Sequence, residues 1–283
     1  MIIISAADCL LGRRIVEELL ADGVPAHELA VTVQRPHEAA DLAGRGIEVR
    51  LADYTRPKTL VWAFAGADKL LLISSSGSGV RNAEDRHAVD AARIAGVTEL
   101  VYMSFLHADT SALLMAAGHR ETEQRIRESG TPFVFLRVGW FIEHYTDRLA
   151  MAVLTGVLPG CAGNGRISFV THTDIASAAS EVLIGHGHTG RTYELGGAAY
   201  SLPELAAEAS AQCGRPIAYG HVPPDEFTET FLLLGLPDWL VRGLVDAESR
   251  ATCGELYTDS TDLRRLIRRP TVPMPDIVTL ALL

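Results

Sequence analysis

Strand-like and helix-like segments alternate through the first half of this chain, and that alternation limits its fold more than any other feature. Six short apolar runs stand at Ile2–Ser5, Leu29–Gln34, Ile47–Leu51, Lys69–Ser74, Leu100–Ser104 and Phe133–Arg137. The first is apolar almost without interruption, the pattern of a parallel strand buried on both faces. Helical patterns fall between the runs, at Leu11–Leu20, Lys58–Ala65, Ala83–Ala95 and His119–Ser129. In the first of these, Ile15, Leu19 and Leu20 make one apolar stripe. Repetition of this kind predicts an α/β fold with a doubly wound parallel sheet. Right-handed crossovers then place helices on both faces of it.

The second half reads as mostly helical. Asp174–Ile184 is a helix entered through Thr171 or Thr173, and Tyr193–Leu195 is a short strand. Ser201-Leu202-Pro203-Glu204 is a capping box opening a helix to about Cys213. Pro223-Pro224-Asp225 opens another, which Gly235 and Pro237 end. Asp238–Val245 and Asp259–Ile267 follow, and Pro270, Pro273 and Pro275 break the tail. The expected anatomy is an α/β domain over residues 1–150, with a returning segment near 168–197. A smaller, mostly helical part occupies 151–283. A cleft between them, beyond the carboxyl ends of the strands, is the expected ligand site.

Charge and cysteine content exclude several classes. The 283 residues carry 25 Lys+Arg against 35 Asp+Glu, a formal net charge of −10. Such a chain lacks the basic face of a nucleic-acid binder, although a local basic site can still hold one anionic cofactor. No apolar run approaches the ~20 residues of a membrane helix, and Met1-Ile2-Ile3-Ile4 has no basic leader pattern. Cys9, Cys161, Cys213 and Cys253 are widely spaced and form neither a disulfide framework nor a zinc pattern. Reduced thiols in a cytoplasmic protein are expected. His186-Gly187-His188 reads as an exposed loop, and Arg264-Arg265 with Arg268-Arg269 as a solvated helix face. No metal is expected.

In a doubly wound sheet, the loop after the first strand is where a dinucleotide's diphosphate rests, and glycines there let the backbone approach it. Here it reads Ser5-Ala6-Ala7-Asp8-Cys9-Leu10-Leu11-Gly12, with Gly12 as its one glycine. Further motifs accompany it. They are Ala52-Asp53-Tyr54, Lys69–Ser76 (KLLLISSS), Leu106–Ser111 (LHADTS) and His119-x-x-Thr122-Glu123. Arg137-x-Gly139-Trp140-Phe141 and Gly235-Leu236-Pro237-Asp238 complete the set. Together they resemble the NmrA-like branch of the atypical short-chain dehydrogenases, above all its quinone- and triphenylmethane-reducing members. The resemblance spans essentially the whole chain.

That resemblance implies a Rossmann-type fold, a bound NADP(H) or NAD(H), and an acceptor in the interdomain cleft. The family's three loop glycines land on Ala6, Cys9 and Gly12, and the small polar residue between them on Asp8. Leu10 and Leu11 complete the expected cofactor loop. Arg35, just after the second strand, falls where the family places an Arg on the adenosine 2′-phosphate, which favours NADP(H). Ser74 and Ser75, with Ser76, match the nicotinamide side, and Ser104 is counted with them. Trp140 and Phe141 fall at the family's cleft position, where a flat aromatic ligand can stack. Relatives carry Asn where this chain has Val138, which points to a more apolar ligand.

The Tyr-x-x-x-Lys pair of ordinary short-chain dehydrogenases is absent after Ser104. The proton-transfer candidates are therefore His107, His119 and Tyr145. Phe227, Phe231, Leu234 and Trp239 are candidates for a lid, with core packing as the alternative. The expected function is hydride transfer from NAD(P)H to a quinone or polycyclic aromatic ketone. Two alternatives stand beside it: a nicotinamide-sensing regulator without catalysis, and a non-redox protein that has lost its dinucleotide. The expected partner is a small aromatic or quinone-like molecule, with no nucleic acid and no membrane. A homodimer is compatible with this reading.

Overall fold

The computed structural model describes residues 1–74, 81–233 and 235–282. The chain opens with β1 (Ile2–Ile4), α1 (Leu10–Ala21), β2 (Leu29–Val33), α2 (Ala40–Gly44), β3 (Glu48–Leu51) and α3 (Pro57–Phe64). Next come β4 (Lys69–Ile73), α4 (Arg81–Ala95), β5 (Glu99–Phe105), α5 (Leu114–Ser129), β6 (Phe133–Val138) and β7 (Trp140–Phe141). Then follow α6 (Thr146–Thr155), β8 (Val157–Gly160), β9 (Ile167–Val170), α7 (His172–Ile184), β10 (Thr192–Leu195) and β11 (Ala199–Tyr200). The rest is α8 (Leu202–Cys213), β12 (Ala218–His221), α9 (Pro224–Leu233), α10 (Asp238–Ala251), α11 (Asp262–Ile267) and α12 (Met274–Leu282).

Seven strands form one sheet in the order β10-β6-β5-β4-β1-β2-β3, every pair parallel. This is the doubly wound α/β fold that the alternation predicts. The β2 and β5 strands are buried at every residue, which explains their unbroken apolar character. One face is covered by α1, α7 and α11, through Leu11, Ile15, Leu19, Ile175, Val182 and Leu263. The other is covered by α3, α4 and α5, through Leu60, Phe64, Val89 and Ile126. Strand order reverses between β1 and β4, so the crevice beyond their carboxyl ends is where an α/β sheet binds ligands.

Residues after β6 leave the sheet and return to it. Gly139 makes the exit: a Cβ there would lie 2.8 Å from the Ser168 carbonyl oxygen. Without one, β7 can lie against β9, which also pairs with β11. The segment then re-enters through α7, beside α1, and through β10, which pairs with β6. A separate apolar cluster joins α6, α8 and α12 through Leu149, Leu202, Leu205, Ile277 and Val278. Among the described residues, no helix is long and apolar enough to cross a membrane.

Three local expectations need correction. The tail is not broken throughout, because Met274–Leu282 is helical and Pro275 sits in its first turn, where a missing N–H costs nothing. The helix from Asp238 runs on to Ala251, and α5 starts at Leu114. The strands β7, β8, β9, β11 and β12 have two to four residues each, too few for a readable alternation.

Candidate active site

The loop from β1 to α1 keeps the shape of a phosphate-binding turn with few of its glycines. Ala6 stands at φ 52°, a left-handed conformation that glycine adopts far more readily. Gly12 is retained for contact: a Cβ there would sit 2.4 Å from the Ala6 carbonyl oxygen. Cys9 caps α1, its Sγ accepting the Gly12 N–H at 3.3 Å. Asp8 points outward and is exposed, so the cap is Cys9 and not Asp8. Cys9 has the extended backbone (φ −96°, ψ 158°) that a cap requires. Burial raises the Cys9 pKa above its ordinary value and the Asp8 charge adds to this, while the Gly12 N–H pulls the other way.

This loop passes a test of fit for a dinucleotide diphosphate. The Leu11 and Gly12 N–H groups turn to the Cys9 sulfur, while the Leu10 N–H has no partner among the described residues, so the start of α1 still offers a donor to an anion. Leu10 is exposed and Leu11 is packed in the core. Arg35 stands just beyond β2, exposed, with its Nε 2.9 Å from Glu38. Its two terminal nitrogens have no hydrogen-bond partner among the described residues and can fork onto a phosphate.

Several motif residues turn out to hold one another. Arg137, on β6, is 5% exposed, and Glu123, on α5, is 1% exposed. Two parallel bonds of 2.8 Å join them, from Nε to Oε1 and from Nη2 to Oε2. The remaining Arg137 nitrogen, Nη1, donates to Asp109 and to Glu194, each at 2.8 Å. Ser104 donates its hydroxyl to Glu123 at 2.7 Å. Burial opposes the Arg137 charge, yet the bonds to Glu123 and Glu194 outweigh it and raise the guanidinium pKa above its usual value. Ser74 likewise donates to the buried Asp85 at 3.0 Å. Ser75 and Ser76 lie outside the described residues, as does Leu234.

The candidate acids are distributed unevenly. His107, at φ 51°, receives its place from Glu194, which accepts its backbone N–H at 3.0 Å. Its Nε2 lies 3.0 Å from the Tyr257 carbonyl oxygen. His119 is buried with Nδ1 2.8 Å from the Tyr102 hydroxyl, and its ring stacks on Phe105. Tyr145 is fully buried, with the Arg148 guanidinium 4.6 Å over its ring. Phe227 and Phe231 come together at 4.5 Å between centroids, both buried and both against Arg148. That places them in a small core around the Arg148–Glu248 pair, and Trp239 is 43% exposed. Trp140 is buried and edge-on to Phe105 at 6.4 Å, and Phe141 stacks on His172 at 4.5 Å.

Sequence reasoning did not single out Glu143, His172, Glu194 or the Arg148–Glu248 pair. Glu143 and His172 are far apart in the chain and meet only because β7 and β9 pair. The one local signal was Thr171 as a helix cap, which places His172 at the first helical position. Among the described residues, no group of three His, Cys, Asp or Glu is arranged to hold a metal ion. His188 instead pairs its Nδ1 with the Tyr193 hydroxyl at 2.8 Å.

Comparison with known proteins bears on this crevice. Residues 7–183 match the family described as NAD(P)H-binding, a match that begins inside the β1–α1 loop. The chain is 40% identical over 280 residues to quinone oxidoreductase 2 of Escherichia coli strain K12, covering 99% of this chain and 98% of that protein. The crystal structure of the E. coli NADPH-dependent quinone oxidoreductase complexed with NADPH superposes with a TM-score of 0.95 over 99% of both chains. Triphenylmethane reductase of Citrobacter sp., complexed with NADP(H), is 30% identical with a TM-score of 0.94, again over 99% of both. The chain therefore belongs to the NAD(P)H-binding family, in the NmrA-like branch that contains these reductases.

Proposed function

We propose that this protein is an NAD(P)H-dependent reductase that passes hydride to a quinone or polycyclic aromatic ketone. The observation that carries the reading is the β1–α1 turn. Its backbone donor at Leu10 remains available, and Gly12 still permits the close packing a diphosphate needs. The near-complete likeness to an NADPH-bound quinone oxidoreductase supports the same reading. Ala6, Asp8, Cys9, Leu10, Leu11 and Gly12 surround the diphosphate. Arg35 takes the 2′-phosphate and so favours NADP(H). Ser74 and Ser104 border the nicotinamide side, held in place by Asp85 and Glu123. The cofactor supplies the hydride when bound.

The chain's own residues orient and seal. Phe141, backed by the buried Trp140, stands where β6 leaves the sheet, at the carboxyl end where the acceptor must meet the nicotinamide. The Arg137 cluster fixes β5, β6 and the turn carrying His107 and Asp109 relative to one another. Residues 1–150 with the returning 168–197 segment hold the cofactor, and the remainder of 151–283 closes over the acceptor. A cytoplasmic setting accords with four unpaired cysteines.

Calorimetric titration with NADPH and NADH, followed by quinone turnover, tests the reading. Tighter binding of NADPH together with turnover supports it. Binding without turnover favours a nicotinamide-sensing regulator, a reading encouraged by the thiol cap and the strained Ala6. No binding by either cofactor defeats both.

A further inference from the structure

We propose, on the basis of the reductase reading, that His172 donates the proton that completes reduction of the acceptor, with Glu143 as its positioning residue. The turn after β7 brings Glu143 to the start of α7. There its Oε1 accepts the His172 backbone N–H at 2.7 Å and faces the ring Nδ1 at 3.1 Å. Phe141 stacks on the imidazole at 4.5 Å with 23° between planes. The ring is thus fixed on two sides, one by charge and one by an aromatic face. Its Nε2 makes no protein bond among the described residues.

The dyad lies at the crevice because α7 runs beside α1 in the same direction. Ser177 donates to Glu18, and one turn further on Ser180 donates to Asp22. Tracing this register back brings His172 level with the opening turn of α1, the turn proposed above to receive the diphosphate. Phe141 packs into the same apolar cluster as Ala7 and Leu11. By contrast, His107 and His119 have their rings engaged by Tyr257 and Tyr102.

The Glu143 carboxylate behind Nδ1 orients the ring and leaves Nε2 as the nitrogen free to act. Burial pushes the Glu143 carboxyl up, but the His172 ring and backbone N–H outweigh it and hold the pKa below the ordinary carboxylate range. The second carboxylate oxygen, Oε2, is buried with no partner among the described residues, so the charge depends on His172. The other titratable groups beside it are His144 on the same turn, whose pKa burial and then the His172 charge push down, and Asp174 two residues on in α7. Arg269 neutralises Asp174, donating to its Oδ1 at 2.5 Å.

Proton and electron balance is simple. The hydride brings two electrons to the quinone and leaves an anionic acceptor oxygen. The Nε2–H bond breaks as a new O–H bond forms on that oxygen. His172 becomes neutral with Nδ1–H still on Glu143, and solvent returns its proton. One quinone, one NADPH and one proton give one hydroquinone and NADP⁺.

The test uses 1,4-naphthoquinone with the purified full chain, in wild type and in His172→Gln and Glu143→Gln. His172→Gln should lower kcat about 100-fold, leave the NADPH Kd by calorimetry within about twofold, and abolish the alkaline fall in the pH profile. Glu143→Gln should move that fall to lower pH with a smaller loss of kcat. A His172→Gln enzyme with wild-type kcat and profile overturns the proposal and makes solvent the donor. A collapse of NADPH affinity in that variant also overturns it. Wild type that binds NADPH but reduces no quinone overturns the reductase reading and this proposal with it. Should the variants fail to fold, ¹⁵N-histidine spectra of wild type with NADP⁺ and naphthohydroquinone decide: a shift at His172 Nε2 supports the assignment, and none overturns it.

Discussion

The loop at Ala6–Gly12 and the cluster around Arg137 lie at the same end of the sheet and are held in different ways. The loop is backbone geometry: one left-handed alanine, one glycine that must lack a side chain, and one thiol on a helix N–H. The cluster is charge in a buried place: one guanidinium shared by Glu123, Glu194 and Asp109. Backbone geometry tolerates gradual substitution, because a side chain costs about 1–3 kcal/mol where φ is positive, as at Ala6, and little where the backbone is extended, as at Cys9. A buried ion cluster does not, because removing one member leaves the others with uncompensated charge. Motif residues at Asp109, Glu123 and Arg137 are therefore intact here while the loop has lost glycines.

The largest effect should come from breaking the cluster. Arg137→Leu leaves the buried Glu123 carboxylate with Arg127 as its one remaining cation beside the Ser104 hydroxyl, and should cost about 3–5 kcal/mol of unfolding free energy in urea titrations. Adding Glu123→Leu should recover part of that loss, whereas a further loss would show that the cluster is not bound by charge. Next, Arg35→Ala should weaken NADPH binding about tenfold to a hundredfold and leave NADH nearly unchanged. Equal loss for both would remove Arg35 from the 2′-phosphate.

A smaller effect is expected from relaxing the loop. Ala6→Gly should stabilise the fold by about 1 kcal/mol, since only the left-handed strain is relieved. Combined with Asp8→Thr and Cys9→Gly it should tighten NADPH binding, and unchanged affinity would mean that the thiol cap already serves the diphosphate. The smallest effect is protection. Bound NADPH should slow alkylation of Cys9 several-fold and leave the exposed Cys253 unaffected, as read by peptide mass spectrometry. Cys161 should alkylate slowly with or without cofactor. Burial, reinforced by the Glu248 charge, pushes its thiol pKa up to about 11 and keeps it protonated at neutral pH.

Most of the sheet was legible because its central strands are near-continuous apolar runs buried on both faces. The edge strands β3 and β10 carry no such run and were placed by their position in the alternation of elements, and the order of the seven strands was not readable from it. The five strands of the excursion have two to four residues each and no such alternation around them to mark them. Within the site, the loop was found by position, and Arg137 and Glu123 were seen as motif letters without their mutual bond. Glu143 and His172 were missed for a physical reason. Their pairing depends on a long excursion that returns to the sheet, and such contacts leave no mark in local sequence. A thiol is not a usual cap, so the extended backbone that makes Cys9 rather than Asp8 the cap of α1 left no sign in the sequence.

The return of β10 to the edge of β6 has a consequence for synthesis on the ribosome. Chains emerge from the amino end, and domains fold as they appear. When β6 is complete, its outer edge, with Phe135, Leu136, Arg137 and Val138, has no neighbour until Thr192–Leu195 has been made. Throughout that interval a row of backbone donors and acceptors beside large apolar side chains is open to other nascent chains. Slow translation between Gly139 and Arg191 should therefore raise the aggregated fraction more than an equal pause before β5.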